Sequence, residues 1–308
     1  MRVVSLLPSA TEVLCAVGGE SLLVGRSHEC DHPASVSDRP VLTAARTVAT
    51  TSAEIDAEVR ATLDSGDTSS LYHLDAGMLA SLSPDVIITQ DLCDVCSIDL
   101  ETVRGIAATL DPVPDIVSLD PSSVWDVLDD LLTVGKAVGL DREAEAAMVA
   151  AREAYWSAVD FVNPYVPGPE ILFLEWMEPA FVGGHWTPAM IEHAGGRHSL
   201  NAAGEKSRQV SPEDIVASQP DRVVICPCGY DLDAIRRELP ELRRQDWFQA
   251  LPAVADGDPS SVMLVDGNQM FNRPGPRLVD AFRWLVAWIN DRPEVAPDDF
   301  PAVPLPPA

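Results

Sequence analysis

Short apolar runs alternate along the chain with longer segments in which apolar residues recur at helical spacing, a pattern typical of parallel strands joined by helices. Two such series occur, one in each half, so we expect two α/β layer structures. The predicted strands are residues 3–6, 22–24, 71–74, 86–89 and 116–119, then 171–174, 223–226 and 262–265. The predicted helices are residues 10–17, 53–63, 75–81 and 100–110, then 188–194, 212–217, 232–243 and 276–289.

A long helical pattern connects the two series. The apolar spacing predicts almost continuous helix over residues 122–162, and at 1.5 Å per residue about 40 helical residues would span about 60 Å, enough to join two lobes. Gly139 leaves a second interpretation open, two consecutive helices broken at that residue. The predicted domains are an α/β lobe at residues 1–121, a linking helix at 122–163 and an α/β lobe at 164–308, whose proline-rich end at 297–308 is expected to be a draped or loose tail.

Composition narrows the classes of function. The chain has 308 residues, 46% of them hydrophobic and 22% charged, which is ordinary for a globular protein with a substantial core. Its net charge is −27, from 21 Lys and Arg against 48 Asp and Glu. So acidic a protein offers little basic surface to neutralise phosphates, and this argues against a nucleic-acid partner.

The sequence also suggests a compartment. No uninterrupted run of 18 apolar residues occurs, so we expect no membrane span. The first apolar run is stopped by Pro8 and Glu12 and is shorter than the apolar core of an export signal. We therefore expect a cytoplasmic protein, or an extracytoplasmic one if the start is truncated. Six cysteines are too few for a disulfide framework at this length and favour a reducing compartment.

Several short motifs resemble one family across nearly the whole chain. They are VSLLPSATE at residues 4–12, VGRSHECD at 24–31, TQDLCDVC at 89–96, LEW at 174–176, GHW at 184–186 and FNRPGPR at 271–277. Together these motifs resemble the solute-binding proteins for vitamin B12 and ferric chelates, the helical-backbone metal receptors, and in particular a leaderless cobalamin-binding branch. The resemblance implies a class III architecture, in which two Rossmann-like lobes joined by a long backbone α-helix hold a metal chelate in the cleft between them. It also implies an ABC permease as partner.

Candidate ligand-binding residues follow the predicted strands, because ligands of parallel sheets lie outside the carboxyl ends of the strands. Aromatic side chains among them would give the flat apolar walls that a corrin needs. The imidazole of His185 is the best candidate axial ligand of cobalt or iron, although it is equally compatible with a hydrogen-bonded loop residue. The predicted ligand-binding residues are Pro8, Ser9, Glu29, Gln90, Trp176, His185, Trp186, Tyr230, Phe271, Asn272 and Arg273.

Cysteines raise a second hypothesis. Soft thiolates select zinc, copper(I) or iron–sulfur clusters, and several cysteines follow predicted strands. The predicted metal ligands are Cys30, Cys93, Cys96, Cys228 and His28. Two functions thus stay open: a binding protein for cobalamin or a related metal chelate, and a cytosolic enzyme or sensor with cysteine-bound zinc or an iron–sulfur cluster. The chain has no Walker A, GxGxxG or GxSxG motif, so no catalytic residue is predicted.

Overall fold

The computed structural model describes residues 1–45, 49–64, 72–91 and 99–307. The chain forms two compact units. Unit 1 comprises Met1–Thr50, Glu54–Pro121 and Trp125–Arg152, and unit 2 comprises Thr51–Ala53, Ser122–Val124 and Glu153–Ala308. The predicted residue boundaries of the lobes stay predictions.

Helices and strands alternate through both halves. The first half contains β1 (Val3–Ser5), α1 (Pro8–Ala16), β2 (Leu23–Arg26), β3 (Thr43–Ala45), α2 (Ser52–Asp64), β4 (Tyr72–Leu74), α3 (Ala76–Leu82), β5 (Val86–Gln90), α4 (Leu100–Ala107), β6 (Asp115–Leu119), α5 (Val124–Val138) and α6 (Asp141–Val159). The second half contains β7 (Ile171–Trp176), β8 (Phe181–Val182), α7 (Thr187–His193), β9 (Arg208–Gln209), α8 (Pro212–Ala217), β10 (Arg222–Ile225), α9 (Leu232–Arg244), α10 (Asp246–Gln249), α11 (Pro252–Ala255), β11 (Val262–Val265), α12 (Leu278–Asn290) and β12 (Ala302–Pro304).

The main sheet of unit 1 is parallel, with strand order β2-β1-β5-β6. Val3 pairs with Val86 and Val4 with Ile87 at its centre. Because successive side chains of a strand point to opposite faces, Val3 packs in one core cluster and Val4 in another. Both faces are thus covered, which explains why the central strands read as continuous apolar runs.

The predicted strand at residues 71–74 belongs elsewhere. Residue 71 lies outside the described residues, and β4 pairs antiparallel with β3 in a separate two-stranded sheet, Thr43 opposite Leu74. Its expected place among the parallel strands was therefore wrong. The sequence analysis missed β3 because three small residues, Thr-Ala-Ala, carry no apolar alternation.

Unit 2 has a mixed sheet with strand order β12-β11-β10-β7-β8-β9. Its three predicted strands form the parallel centre, and antiparallel strands extend both sides. The proline-rich end lies along this sheet and is not loose, because Val303 pairs with Leu264 and the Leu305 amide donates to the Val262 carbonyl at 2.8 Å. Pro304 lies within this edge strand, which tolerates proline since one side of its backbone needs no partner.

The connecting segment is two helices, so the single helix of about 60 Å was wrong and the second interpretation is confirmed. Gly139 adopts φ +73, a conformation natural to glycine after a helix end, and the Leu140 amide donates to the Gly135 carbonyl at 2.8 Å. The helices α5 and α6 then fold back on each other, since a Cβ on Gly135 would lie 2.2 Å from that of Ala144.

One of these helices still joins the lobes. The two units divide between Arg152 and Glu153, within α6, whose 19 residues span about 28 Å. The α/β class with two lobes joined by a backbone helix is thus confirmed. Across the described residues, no helix combines the length and the apolar character needed to cross a membrane.

Candidate functional site

In unit 1, the carboxyl end of β1 leads into a buried polar network. Pro8 begins α1, where its missing amide proton costs nothing, and Ser9 beside it is only 2% exposed. The Ser5 hydroxyl donates to the Leu7 carbonyl at 3.0 Å, and the Thr11 hydroxyl lies 2.8 Å from Ser5 Oγ. These side chains therefore satisfy one another inside the unit.

Cys30 and His28 lie against hydroxyl groups of unit 1. The buried Cys30 sulfur is 3.1 Å from Thr11 Oγ1. Thr43 Oγ1 accepts the His28 backbone amide at 3.0 Å and lies 2.7 Å from His28 Nδ1. Each of the two predicted ligands thus has a protein hydroxyl as a neighbour.

The remaining predicted residues of unit 1 lie at strand ends or outside the described chain. Glu29 is half-buried, and Gln90 is buried at the last position of β5. Cys93 and Cys96 lie outside the described residues. In unit 2, Cys228 is half-buried just after β10, and its amide donates to the Glu175 carbonyl at 3.1 Å.

The described residues do not form a metal centre. No group of three or more His, Cys, Asp or Glu side chains among them could hold a metal ion. Burial raises the pKa of the Cys15 thiol to about 12 and that of Cys226 well above its usual range, and neither cysteine was a predicted metal ligand. The cysteine-bound zinc or iron–sulfur hypothesis gains no support from this part of the chain.

His185 occupies a constrained turn in unit 2. Its backbone has φ +52, a left-handed conformation that non-glycine residues rarely adopt. The turn is held by two backbone hydrogen bonds, from the His185 amide to the Glu205 carbonyl at 2.6 Å and from the Gly204 amide to the His185 carbonyl at 2.8 Å. The half-buried imidazole stacks on Trp186, with ring centroids 5.5 Å apart. The strained backbone, its two hydrogen bonds and the Trp186 ring therefore hold the imidazole in one orientation.

Gly184 makes that turn feasible. A Cβ at this position would lie 2.3 Å from the Ser207 amide nitrogen and 2.6 Å from the Glu205 carbonyl oxygen. Because it has no side chain, this glycine accommodates a neighbouring backbone segment. The segment in turn anchors His185.

Two of the predicted aromatic walls belong to the core. Phe271 is 1% exposed, and its ring lies 5.1 Å from that of Phe173 and 6.0 Å from that of Trp284. Trp186 is also buried, and its indole nitrogen donates to the Phe271 carbonyl at 2.8 Å. Both side chains pack inside unit 2 and support His185, and their predicted role as ligand contacts stays a prediction.

Asn272 and Arg273 organise their own loop. The Asn272 amide nitrogen donates to the carbonyls of Cys226 and Gly267, both at 3.0 Å, and so ties two strand-end loops together. The buried Arg273 guanidinium donates to Asn268 Oδ1 at 3.2 Å. These contacts fix the backbone that carries Phe271.

A second aromatic group of unit 2 is hydrogen-bonded to an acidic side chain. The half-buried Trp176 ring meets the Tyr230 ring edge-on at 5.3 Å, and the Tyr230 hydroxyl donates to Glu238 Oε1 at 2.9 Å. Glu238 also accepts the amide of Ser52 at Oε1, 2.7 Å away, and the Ser52 hydroxyl at Oε2. The Trp176 indole nitrogen donates to the Ser52 carbonyl at 3.2 Å.

Sequence reasoning missed Glu238 and Ser52. Glu238 lies on a correctly predicted helix, but a chain with 48 acidic residues marks none of them as special. Ser52 reads only as a polar residue at the start of a helix. Its partner lies 186 positions away, a separation at which no local pattern carries information.

The chain is similar to proteins of known family and known structure. A family model described as periplasmic binding protein matches residues 3–258. No curated protein matches the chain.

Solved structures of low sequence identity share the fold. The periplasmic heme-binding protein RhuT of Roseiflexus sp. RS-1 is 20% identical with a TM-score of 0.71, the match covering 94% of this chain and 98% of that one. A periplasmic heme-binding protein of Pseudomonas aeruginosa is 21% identical with a TM-score of 0.70, covering 94% and 92%. The periplasmic vitamin B12 binding protein BtuF of Vibrio cholerae is 16% identical with a TM-score of 0.65, covering 95% and 98%.

Proposed function

We propose that this chain, which belongs to the periplasmic binding protein family, binds a corrinoid such as cobalamin and holds it without chemical change. Members of this family bind small-molecule chelates and work with ABC transporters. The bound corrinoid would then be cargo that an ABC permease receives. Similar folds carry vitamin B12 in one protein and heme in others, so the ligand must be argued from the side chains.

The observation that carries the proposal is the presentation of His185. A neutral imidazole is a good axial ligand of cobalt, and ligation requires the ring to be held in one orientation. The left-handed backbone, the two backbone hydrogen bonds and the stacked Trp186 ring provide that orientation. Strain of this kind persists where the surrounding structure enforces it, and it concentrates at binding sites.

Other predicted residues offer ligand-binding groups on their own units. Trp176 at the end of β7 offers a half-buried ring as an apolar surface for the macrocycle. In unit 1, Pro8, Ser9 and Gln90 lie at or just beyond the carboxyl ends of β1 and β5, where polar contacts to a ligand are expected. Glu29 would add a half-buried carboxylate on the same unit.

Visible absorption during titration with hydroxocobalamin tests the proposal. The expected result is a saturable shift of the cobalamin bands at one ligand per chain. Hemin titrated in parallel should bind more weakly. The absence of any saturable change with hydroxocobalamin would overturn the proposal, and tighter binding of hemin would replace the corrinoid by a porphyrin.

The variant His185→Gly separates ligation from folding. Glycine adopts φ +52 without strain, so the turn should persist while the imidazole is lost. We expect the band shift of axial ligation to disappear and the affinity to fall at least about ten-fold. Ser83→Gly is the matched control, because Ser83 also has a positive φ, +44, at the end of α3 in unit 1. Equal affinity in His185→Gly and wild type would exclude His185 as the axial ligand.

A further inference from the structure

We propose that Trp176, Tyr230 and Glu238 form an amide clamp on unit 2, which selects ligands with carboxamide side chains over ligands with carboxylates. The inference rests on the proposed function and deepens it, because a corrin carries peripheral carboxamides whereas a porphyrin of the haem type carries carboxylates. Four hydrogen bonds support it, together with the assignment of the chain segment Thr51–Ala53 to unit 2.

Glu238 is the acceptor of the clamp. Its carboxyl group receives three donors: the Ser52 amide at 2.7 Å, the Ser52 hydroxyl, and the Tyr230 hydroxyl at 2.9 Å. A carboxylate that accepts this many hydrogen bonds is an acceptor only, and it binds N–H donors strongly. A carboxylate ligand at the same place would bring a like charge without a proton to share.

Trp176 is the donor of the clamp. Its indole nitrogen has a single proton and no acceptor function, and it donates to the Ser52 carbonyl at 3.2 Å. One residue, Ser52, thus presents an N–H to Glu238 and a C=O to Trp176. A primary carboxamide carries both functions on one group, so the clamp matches its chemistry.

Tyr230 positions the acceptor Glu238 and the donor Trp176 of the clamp. Its ring packs edge-on against Trp176 at 5.3 Å, while its hydroxyl holds Glu238 Oε1. Tyr230 is buried, so the pair is fixed by packing before a ligand arrives. Preorganisation of this kind lowers the entropic cost of binding.

Ser52 acts as the internal occupant of the clamp. It is 1% exposed, and its amide, hydroxyl and carbonyl groups all contact clamp side chains. A ligand carboxamide would replace these contacts one for one. Binding at the clamp should therefore compete with Ser52, and weakening the Ser52 contacts should strengthen binding of the ligand.

Discrimination between an amide and an acid is the primary test. The probes are hydroxocobalamin and its monocarboxylate derivatives, in each of which one peripheral propionamide has been hydrolysed. For wild type we expect at least one isomer to bind about ten-fold more weakly than hydroxocobalamin, the range of a lost charge-assisted hydrogen bond. In Glu238→Gln that penalty should shrink to less than about three-fold, because the side-chain amide can donate to a carboxylate.

The control is Glu241→Gln, which removes the same charge from the same helix α9 at an exposed position paired with Arg244. Glu241→Gln should keep the wild-type ratio between the affinity for hydroxocobalamin and the affinity for each monocarboxylate. Equal ratios in wild type and Glu238→Gln for every isomer would overturn the clamp while leaving corrinoid binding intact. A wild-type protein that does not bind hydroxocobalamin at all would overturn both the clamp and the proposed function.

Competition by Ser52 is tested with Ser52→Pro. Proline is tolerated at the first position of a helix, where Ser52 lies, and it removes both the amide proton and the hydroxyl that Glu238 accepts. We expect hydroxocobalamin to bind this variant at least about three-fold more tightly than wild type. Ser52→Ala, which removes only the hydroxyl, should give a smaller gain in the same direction. Unchanged or weaker binding in both variants would overturn the role of Ser52 as occupant.

Discussion

The two units place different chemistry at the carboxyl ends of similar parallel strands. In unit 1 small polar side chains lie at the end of β1, where the Thr11 hydroxyl contacts both the Ser5 hydroxyl and the Cys30 sulfur. In unit 2 the Tyr230 hydroxyl, on a ring packed against Trp176, donates to Glu238, and a strained turn presents His185. A shared sheet architecture therefore fixes where a site forms, whereas the side chains beyond the strands decide what it recognises. We expect unit 2 to determine the choice of ligand.

The two units also differ in how they accommodate a buried acidic side chain. Asp130 in unit 1 and Glu170 in unit 2 are each 8% exposed. Glu170 accepts the Ser199 amide at 2.7 Å and pairs with Arg197 at 3.6 Å. Asp130 has one carboxyl oxygen with no hydrogen-bond partner, and burial, reinforced by Asp126, raises its pKa to about 7. The buried Glu170 of unit 2 is thus compensated by its partners. The buried Asp130 of unit 1 has an oxygen without a hydrogen bond, and this lowers the stability of the folded protein.

The largest expected effect concerns the aromatic core of unit 2. Replacing Phe271 by Ala should lower the free energy of unfolding by about 3–5 kcal/mol, because it leaves a cavity among packed rings. Equilibrium unfolding in urea measures the change. Val113→Ala, at a side chain 63% exposed, should change stability by less than about 0.5 kcal/mol. A loss below about 1 kcal/mol for Phe271→Ala would mean that this ring does not support the core.

Next in size is the buried acid of unit 1. The folded protein retains the Asp130 proton up to about pH 7, whereas an unfolded aspartate loses it near pH 4. The contribution of this group to stability is therefore complete below about pH 4 and is lost as the pH rises to 7. Asp130→Asn should raise the free energy of unfolding at pH 8 by about 2–4 kcal/mol and change it little at pH 4.

Urea unfolding at pH 4, 6 and 8 measures this pH dependence. Asp38→Asn serves as its control, because the exposed Asp38 carboxylate of unit 1 pairs with Arg39 at 2.8 Å and is not among the carboxylates that raise the Asp130 pKa. That variant should show no gain at pH 8. A gain of equal size at every pH in Asp130→Asn would indicate that titration of this carboxyl is not the cause.

The smallest expected effect is in the polar network of unit 1. Thr11→Val keeps the shape but removes the hydroxyl beside Ser5 Oγ and Cys30 Sγ, and should cost about 1–2 kcal/mol of stability. The affinity for hydroxocobalamin should change less than about two-fold, since this network serves folding. Thr109→Val, at an exposed hydroxyl on the carbonyl of Ile106, should affect neither quantity. A larger loss of hydroxocobalamin affinity in Thr11→Val would show that unit 1 also contributes to ligand selection.

Much of the fold was predictable because it rests on local periodicity. The apolar runs at the centres of both sheets are confirmed as β1, β5, β7 and β10, and their burial on two faces explains why they contain no polar alternation. The sequence also marked Gly139 as a place where the connecting helix could break, but it did not decide between one helix and two. Whether a glycine bends or ends a helix depends on what packs nearby, here Ala144 against Gly135.

For the site, the sequence by itself determined which residue types stand beyond the strands and singled out His185 as the imidazole most suited to bind a metal chelate. Tertiary structure alone decided that Phe271 and Trp186 pack inside, that the proline-rich end pairs with β11, and that Ser52 meets Glu238. Local patterns report which face of an element is apolar, because that property repeats every two or about 3.6 residues. Contacts across 186 positions depend instead on how whole elements pack, and no periodicity encodes them.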